Sequence, residues 1–292
     1  MSRADSVRTF GVIGAGQMGS GIAQVAAMAG CAVVMNDREA GFLERALKSI
    51  DASLRKLAEK GTIAKPDADA ALGRIRTSES IDALAPCDYV VEAVNESLDL
   101  KTGLFRALDR VCRPGVTLAS NTSSISITKI AAVTQRPARV IGMHFMNPVP
   151  LMKLVEIIPG QATSPETVEE TRALAVRLGK TPVVSQDLPG FIANRVLMPL
   201  VNEAIYALFE GVGTREDIDT VMTLGMRHPM GPLTLADFIG LDTCLAIMEV
   251  LHEGFGDPKY RPCPLLRRMV DAGHLGRKSG RGFYDYTAEP KR

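Results

Sequence analysis

Between Arg8 and Asp37 the chain carries no charged residue, and six glycines break that otherwise apolar interval. The stretch Thr9 to Ala29, TFGVIGAGQMGSGIAQVAAMA, reads as a strand over Thr9 to Ile13, a turn that demands glycine, and a helix from about Gln17. Gly14, Gly16 and Gly19 fall in G-x-G-x-x-G register, and each place has its own steric reason to lack a side chain. The first allows the tight turn, the second lets a pyrophosphate approach the backbone, and the third lets the helix pack closely on the strand. The loop Gly14-Ala15-Gly16-Gln17-Met18-Gly19 then offers phosphates the unpaired N–H groups and partial positive charge of a helix start. A second apolar run, Cys31 to Met35, leads to Asp37, 23 residues after Gly14, where a carboxylate can accept hydrogen bonds from the hydroxyls of an adenosine ribose. Asp37 favours NAD over NADP, because a carboxylate repels a 2′-phosphate, whereas Arg38 beside it pulls the other way. An uncharged run of this length also invites comparison with a signal peptide or a membrane span. The six glycines, with Gln17, Gln24 and Asn36, fit neither.

At 292 residues the chain has room for two domains, and 46% hydrophobic with 23% charged residues describes a soluble globular protein. A formal charge of +1 leaves no electrostatic footprint for a nucleic acid or an anionic membrane. Cys31, Cys87, Cys112, Cys244 and Cys263 are scattered and odd in number, without a C-x-x-C pair, as in a reduced cytoplasmic chain. The four histidines are far apart, so no metal site is expected.

Beyond Asp37, Leu43, Leu47, Ile50, Leu54 and Leu57 recur at helical spacing and should face the sheet. The opposite face carries Ser49, Ser53, Lys56 and Lys60, which is either a solvated surface or a place where Ser53 and Lys60 meet an anionic ligand. Tyr89 to Val94 is an apolar strand followed by Asn95 and Glu96. Ligands of an open parallel sheet sit beyond the carboxyl ends of its strands, so Glu96 and Lys101 fall near the cofactor crevice. Lys101 equally begins an amphipathic helix, Leu98 to Val111. The cluster Ser120 to Ser124, SNTSS, follows another strand and can cap a helix or hold a ligand, with Ser123 the candidate for a substrate contact.

Val140 to Met146 is a strand that delivers His144, and Lys153 to Ile158 is a strand that carries Glu156. If the two pair antiparallel about Pro150, positions 144 and 156 lie opposite each other. Met152, Leu154, Glu156 and Ile158 share one face, so the carboxylate projects from an apolar stripe and needs a partner, for which His144 is nearest. An opposed imidazole and carboxylate beside a dinucleotide motif point to acid–base catalysis. Gln186 to Gly190 reads as a domain boundary. Beyond it the pattern is helical: Phe191 to Phe209, with Asn194 on its apolar face and Pro199 expected to kink it or sit in a local irregularity, then Arg215 to Leu224 and Leu235 to Leu251. Apolar excess in this half predicts a homodimer through these helices. The glycine-rich basic tail Gly276 to Tyr286 either folds over a ligand or covers the domain. The expected class is α/β, a Rossmann-like doubly wound sheet domain over residues 1–186 followed by an all-α C-terminal domain over 187–292.

Six motifs in order carry a resemblance to a known family: VIGAGQMGSGIAQ from Val12, VVEAVNE from Val90, SNTSS from Ser120, GMHFMNPVPLMKLVEII from Gly142, DLPGFIANR from Asp187 and GRKSGRGFYDY from Gly276. Over nearly its whole length the chain resembles the short-form 3-hydroxyacyl-CoA dehydrogenases. The resemblance implies an NAD-linked oxidation of an L-3-hydroxyacyl-CoA, expected to be short-chain such as 3-hydroxybutyryl-CoA, to the 3-ketoacyl-CoA and the reverse. By position it implies a catalytic dyad of His144 and Glu156, with Ser123 and Asn194 orienting substrate. It also implies contacts of Glu96, Lys101, Ser123, Asn147 and Lys278 with the nicotinamide half of NAD, and of Ser53 and Lys60 with coenzyme A. Two other readings stay open: a dehydrogenase of a free 3-hydroxy acid or of a sugar acid such as gulonate, and a non-enzymatic NAD-binding protein.

Overall fold

The computed structural model describes residues 6–287, so the outermost ends of the two expected domains, residues 1–5 and 288–292, lie outside the described residues. The chain divides into two compact units between Leu188 and Pro189. The first lays down β1 (Thr9–Ile13), α1 (Gln17–Met28), β2 (Ala32–Asn36), α2 (Ala40–Glu59), α3 (Lys65–Gly73), β3 (Ile75–Ser78), β4 (Tyr89–Glu92) and α4 (Leu98–Val111). It continues with β5 (Thr117–Ser120), α5 (Ile127–Ala131), β6 (Val140–Phe145), β7 (Leu154–Pro159), α6 (Pro165–Arg177) and β8 (Thr181–Val184).

These strands form one eight-stranded sheet in the order β3-β2-β1-β4-β5-β6-β7-β8. Strands β1 to β6 run parallel, β7 runs antiparallel to β6, and β8 runs parallel to β7. Central strands of such a sheet are covered on both faces and read as continuous apolar runs; all four residues of β4 are buried, and the Phe10 ring of β1 stacks on Tyr89 with centroids 5.8 Å apart. The winding reverses between β1 and β4, which opens a ligand crevice beyond their carboxyl ends.

Helix α2 differs from expectation in what it packs on. Leu43, Ala46, Ile50, Leu54 and Leu57 are its buried residues, but the helix packs mainly on α1 and α3 and less on the sheet, which it meets at β3. The reason lies in α1, nine of whose twelve residues are buried, so that it covers the sheet with one side and presents apolar surface to α2 with the other. Asp187, at the end of the first unit, accepts from Ile127 N at 2.9 Å, Thr128 N at 2.8 Å and Ser126 Oγ at 2.8 Å, which caps α5.

The second unit is helical: α7 (Ala193–Phe209), α8 (Arg215–Thr220), α9 (Pro232–Ile239), α10 (Leu241–Phe255) and α11 (Pro264–Asp271). Helix α7 runs through Pro199 without being divided. The segment Leu235 to Leu251, expected as one helix, belongs to two, because Gly240 between α9 and α10 takes φ +103°, a conformation only glycine adopts without strain. Likewise α8 passes into a π-helical turn at Val221–Gly225 rather than continuing as α-helix. Met198, Val201, Ile205, Leu233, Leu241, Met248, Leu251 and Leu266 make the core of this unit. The glycine-rich tail folds onto α9. Asp237, 1% exposed, accepts from Phe283 N and Tyr284 N at 2.9 Å each and from the Tyr286 hydroxyl at 3.1 Å. Burial pushes the Asp237 carboxyl above its usual value despite those three donors. A Cβ on Gly282 would overlap that carboxylate, so the strand of tail can pass there only as glycine.

Candidate active site

The loop after β1 is shaped by what cannot fit beside it. Gly14 has φ +95°, and a Cβ there would lie 2.5 Å from Ala93 O; a Cβ on Gly19 would overlap the Gly14 carbonyl, whereas one on Gly16 would meet nothing within 4 Å. Two glycines thus permit close backbone approach and the third leaves open space, as a pyrophosphate requires. Helix α1 starts at Gly16 with no side chain capping its first turn and no acidic residue in it, so its N–H groups are available to an anion. Asp37 Oδ2 accepts from Ala15 N at 2.8 Å, tying the end of β2 to the loop. Beside them lies a cavity of about 580 Å³ lined by Gly14, Gly16, Asp37, Arg38, Phe42 and Glu79, among others. Arg38 pairs with Glu39 at 3.4 Å in a solvent-exposed position. Asp37, Glu39 and Glu79 therefore face the cavity with one guanidinium among them, a field suited to a ribose hydroxyl and hostile to a 2′-phosphate. These residues fit the adenosine and pyrophosphate of NAD.

Strands β6 and β7 pair with His144 opposite Glu156, the register expected of a turn about Pro150. His144 Nδ1 lies 2.8 Å from Glu156 Oε2, and the side chains are 8% and 1% exposed. A carboxylate only accepts, so Nδ1 carries the proton and Nε2 presents its lone pair. Ser123 Oγ is 3.2 Å from that Nε2, where its hydroxyl donates. The hairpin is braced at its turn end. Asn121 Oδ1 accepts from Phe145 N at 2.8 Å, and Lys180 Nζ donates to Val149 O at 2.5 Å and Met152 O at 2.8 Å across the turn. Burial lowers the Lys180 ammonium below its usual range, assisted by the nearby charge of Lys153. The turn itself leans on α1, for a Cβ on Gly21 would come 2.7 Å from Val149 Cβ; Asn147 sits in this turn.

Ser123 is held by Glu96. Glu96 Oε1 accepts from Thr122 Oγ1 at 2.5 Å, Ser123 N at 2.9 Å, Ser124 N at 3.1 Å and Ser124 Oγ at 3.0 Å. Burial acts to raise the Glu96 carboxyl, but the Lys101 charge and these donors outweigh it and hold the group below the usual carboxylate range. Lys101 is 1% exposed, its Nζ 2.6 Å from Glu92 Oε1 and 3.3 Å from Glu96 Oε2. Glu92 itself escapes a reading of the sequence, although the signal is there: an acid at the end of a wholly apolar run, with a lysine nine residues on.

Ser53 is half-buried on α2 and Lys60 is exposed at its C-terminal end, two turns apart on one face. Asn194 and Lys278 belong to the second unit. Asn194 lies half-buried in the first turn of α7, its backbone N–H donating to Gly190 O at 3.1 Å, and Lys278 pairs with Asp242 at 2.6 Å. Among the described residues no three His, Cys, Asp or Glu side chains are grouped so as to hold a metal ion, and no helix is long and apolar enough to cross a membrane.

Compared with known proteins, residues 9–188 match the family model described as 3-hydroxyacyl-CoA dehydrogenase, NAD binding domain, and residues 190–286 match that described as 3-hydroxyacyl-CoA dehydrogenase, C-terminal domain. The chain is 59% identical over 280 residues to a probable 3-hydroxybutyryl-CoA dehydrogenase of Bacillus subtilis, covering 96% of this chain and 98% of that one. It is 55% identical over 280 residues to the 3-hydroxybutyryl-CoA dehydrogenase of Bradyrhizobium diazoefficiens, covering 96% of each. The crystal structure of (S)-3-hydroxybutyryl-CoA dehydrogenase from Ralstonia eutropha matches with a TM-score of 0.94 and 51% identity, over 96% of this chain and 99% of that one.

Proposed function

The chain belongs to the 3-hydroxyacyl-CoA dehydrogenase family, and from that premise we propose how its side chains interconvert L-3-hydroxybutyryl-CoA and acetoacetyl-CoA. It is an NAD-dependent oxidoreductase of the 3-hydroxybutyryl-CoA type. The observation that carries the mechanism is His144 held between Glu156 and Ser123 on the hairpin of the NAD-binding unit. When bound, NAD accepts the hydride that leaves the carbon bearing the 3-hydroxyl. His144 Nε2 takes the hydroxyl proton in that direction and returns it to the carbonyl oxygen in the other. Glu156 keeps the proton on Nδ1, so that Nε2 is the basic nitrogen, and stabilises the imidazolium that forms. Ser123, with its hydroxyl already aimed at the site of proton transfer, and Asn194 donate to the substrate oxygens. Glu96, Lys101, Ser123, Asn147 and Lys278 serve the nicotinamide half of the cofactor, and Ser53 and Lys60 the coenzyme A moiety. Steady-state rates with acetoacetyl-CoA, set against free 3-keto acids and sugar acids under NADH, test the reading. Turnover of the free acids alone would refute it.

The second unit exposes Val196, Val212, Val221, Leu224, Met226 and Phe238, each more than half accessible, beside an apolar cavity of about 460 Å³ lined by Leu200, Ala204 and Val221 among others. Such a concentration favours a homodimer formed through the helical domain. Light scattering of the wild type and of Leu224→Asp tests it: the variant should run as a monomer, and a monomeric wild type ends the proposal. Five free, buried cysteines suit a reducing cytoplasmic location.

A further inference from the structure

We propose that Arg195 is a positioning residue that fixes the amide of Asn194, its chain neighbour, by packing on the rings of Phe255 and Tyr260; the function of that amide is the one the dehydrogenase reading gives it, on which this inference rests. Arg195 is badly placed for stability. It lies half-buried in the first turn of α7, where a cation faces the positive end of the helix dipole, and no acidic residue in that turn offsets it. Its Nη1 is buried and has no hydrogen-bond partner among the described residues. A buried donor left unpaired costs free energy, and such a group in a folded chain calls for a reason other than stability.

What holds the side chain is aromatic. Its guanidinium carbon lies 3.9 Å from the ring centroid of Phe255 and 4.7 Å from that of Tyr260, and the two rings are 5.2 Å apart, tilted by 35°. Both distances are within reach of a cation–π attraction, which strengthens where water is excluded. Phe255 is the last residue of α10, and Tyr260, 4% exposed, closes the short 3₁₀ turn Pro258–Tyr260 that follows. The arginine thus ties the start of α7 to the end of α10. A second tie precedes it in the chain. Gly190 takes φ +76°, and a Cβ on it would come 2.7 Å from Leu251 Cδ2 of α10, while a Cβ on Gly254 of α10 would come 2.6 Å from Pro189 Cγ. Phe191, with φ +51°, holds a left-handed conformation that a residue with a side chain rarely adopts, and such strain persists only where the surroundings over-determine it. Asn194 lies between the two ties. Its N–H and that of Arg195 both donate to Gly190 O, at 3.1 and 3.2 Å. Ile192 at the N-cap supplies no side-chain cap, so loss of the arginine contact leaves this turn fastened to α10 on one side only. The Asn194 amide then loses the fixed orientation it needs to donate to a substrate oxygen.

The test compares Arg195→Met and Phe255→Leu, each alone and each combined with Asn194→Ala. Phe255→Leu removes one ring and keeps the arginine, and it decides the matter if Arg195→Met does not fold. Measured are kcat and KM with acetoacetyl-CoA, NADH affinity by fluorescence, and the order parameter of the Asn194 side-chain amide by NMR relaxation without substrate. Arg195→Met should lower kcat by roughly 10- to 100-fold and Phe255→Leu by about three- to tenfold, with KM and NADH affinity within about threefold of wild type. In the Asn194→Ala background either substitution should change kcat by no more than about twofold, because an arginine that acts through the amide has nothing left to act on. The amide order parameter should fall in both single variants. Three results overturn the proposal. Equal losses of kcat in both backgrounds would leave the arginine a merely structural part. A raised KM for acetoacetyl-CoA with kcat unchanged would place the guanidinium on the substrate. An unaltered order parameter at Asn194 would show that the amide is held by something else. If the wild type fails to turn over acetoacetyl-CoA, the dehydrogenase reading falls, while the order parameter still decides whether Arg195 fixes the amide.

Discussion

Replacing Glu156 by glutamine changes one charge and no volume, which makes it the sharpest probe of the dyad. In the wild type the carboxylate lies 2.8 Å from His144 Nδ1 and is 1% exposed. A full imidazolium with its charge about 4 Å from a carboxylate gains about 4 kcal/mol at an effective dielectric near 20. With the proton half transferred in the transition state, about half of that, ~2 kcal/mol, is forfeited on substitution, which is roughly 30-fold in kcat. The amide adds a second effect, because its NH₂ can donate to Nδ1 and drive the ring proton to Nε2, where no base remains. Wrong-tautomer losses of this kind approach ~10⁴-fold. Turnover should therefore fall by at least ~30-fold. The assay is kcat for acetoacetyl-CoA reduction across pH, with NADH affinity from fluorescence. A kcat within threefold of wild type, or a loss that appears only in NADH affinity, would refute the electrostatic account of Glu156.

Further expectations follow from the same geometry. His144→Ala should lower turnover by about 10²- to 10⁴-fold while NADH affinity, measured by the same fluorescence titration, stays near wild type. Because the folded-state value of Glu96 is depressed, the stability it contributes is present above the usual carboxylate value of about 4.5 and is lost as pH falls through its folded value. The gap in denaturant midpoint between wild type and Glu96→Gln should accordingly be widest near neutrality and narrow progressively once pH falls below 4.5; a gap that widens as the solution is acidified contradicts that assignment. Lys60→Glu should raise KM for acetoacetyl-CoA by roughly three- to tenfold with kcat unchanged, an effect that shrinks in high salt. An unaltered KM removes Lys60 from coenzyme A binding.

Much of the first unit is legible in the residues themselves because strong local constraints coincide. The glycine register ties β1 to α1, and Pro150 midway between His144 and Glu156 defines the hairpin register. What escapes has a physical reason in each case. Gly240 interrupts a continuous apolar run, and a glycine inside a helical pattern costs only about 1 kcal/mol, so nothing short of its positive φ reveals the break between α9 and α10. Helix α2 carries the right apolar stripe, but a stripe does not say whether its partner is a sheet or another helix. Helix α11 is announced by Pro264 at its first position and an amphipathic LLRRMVD, a short signal easily passed over in a turn-rich region. Glu92 and Lys101 are nine residues apart on different elements, and only the crossing of β4 and α4 makes them a pair.

The clasp between the tail and Asp237 bears on how the protein is made. Its partners are 46 to 49 residues apart in the chain, so α9 leaves the ribosome well before the aromatic segment that fastens it. At ordinary synthesis rates that interval lasts about 2 to 10 s, far longer than helices take to form. The nucleotide-binding unit is complete in sequence by then, whereas the helical unit waits with Asp237 unanswered, and its closure is timed by translation rather than by the search of the chain for its fold.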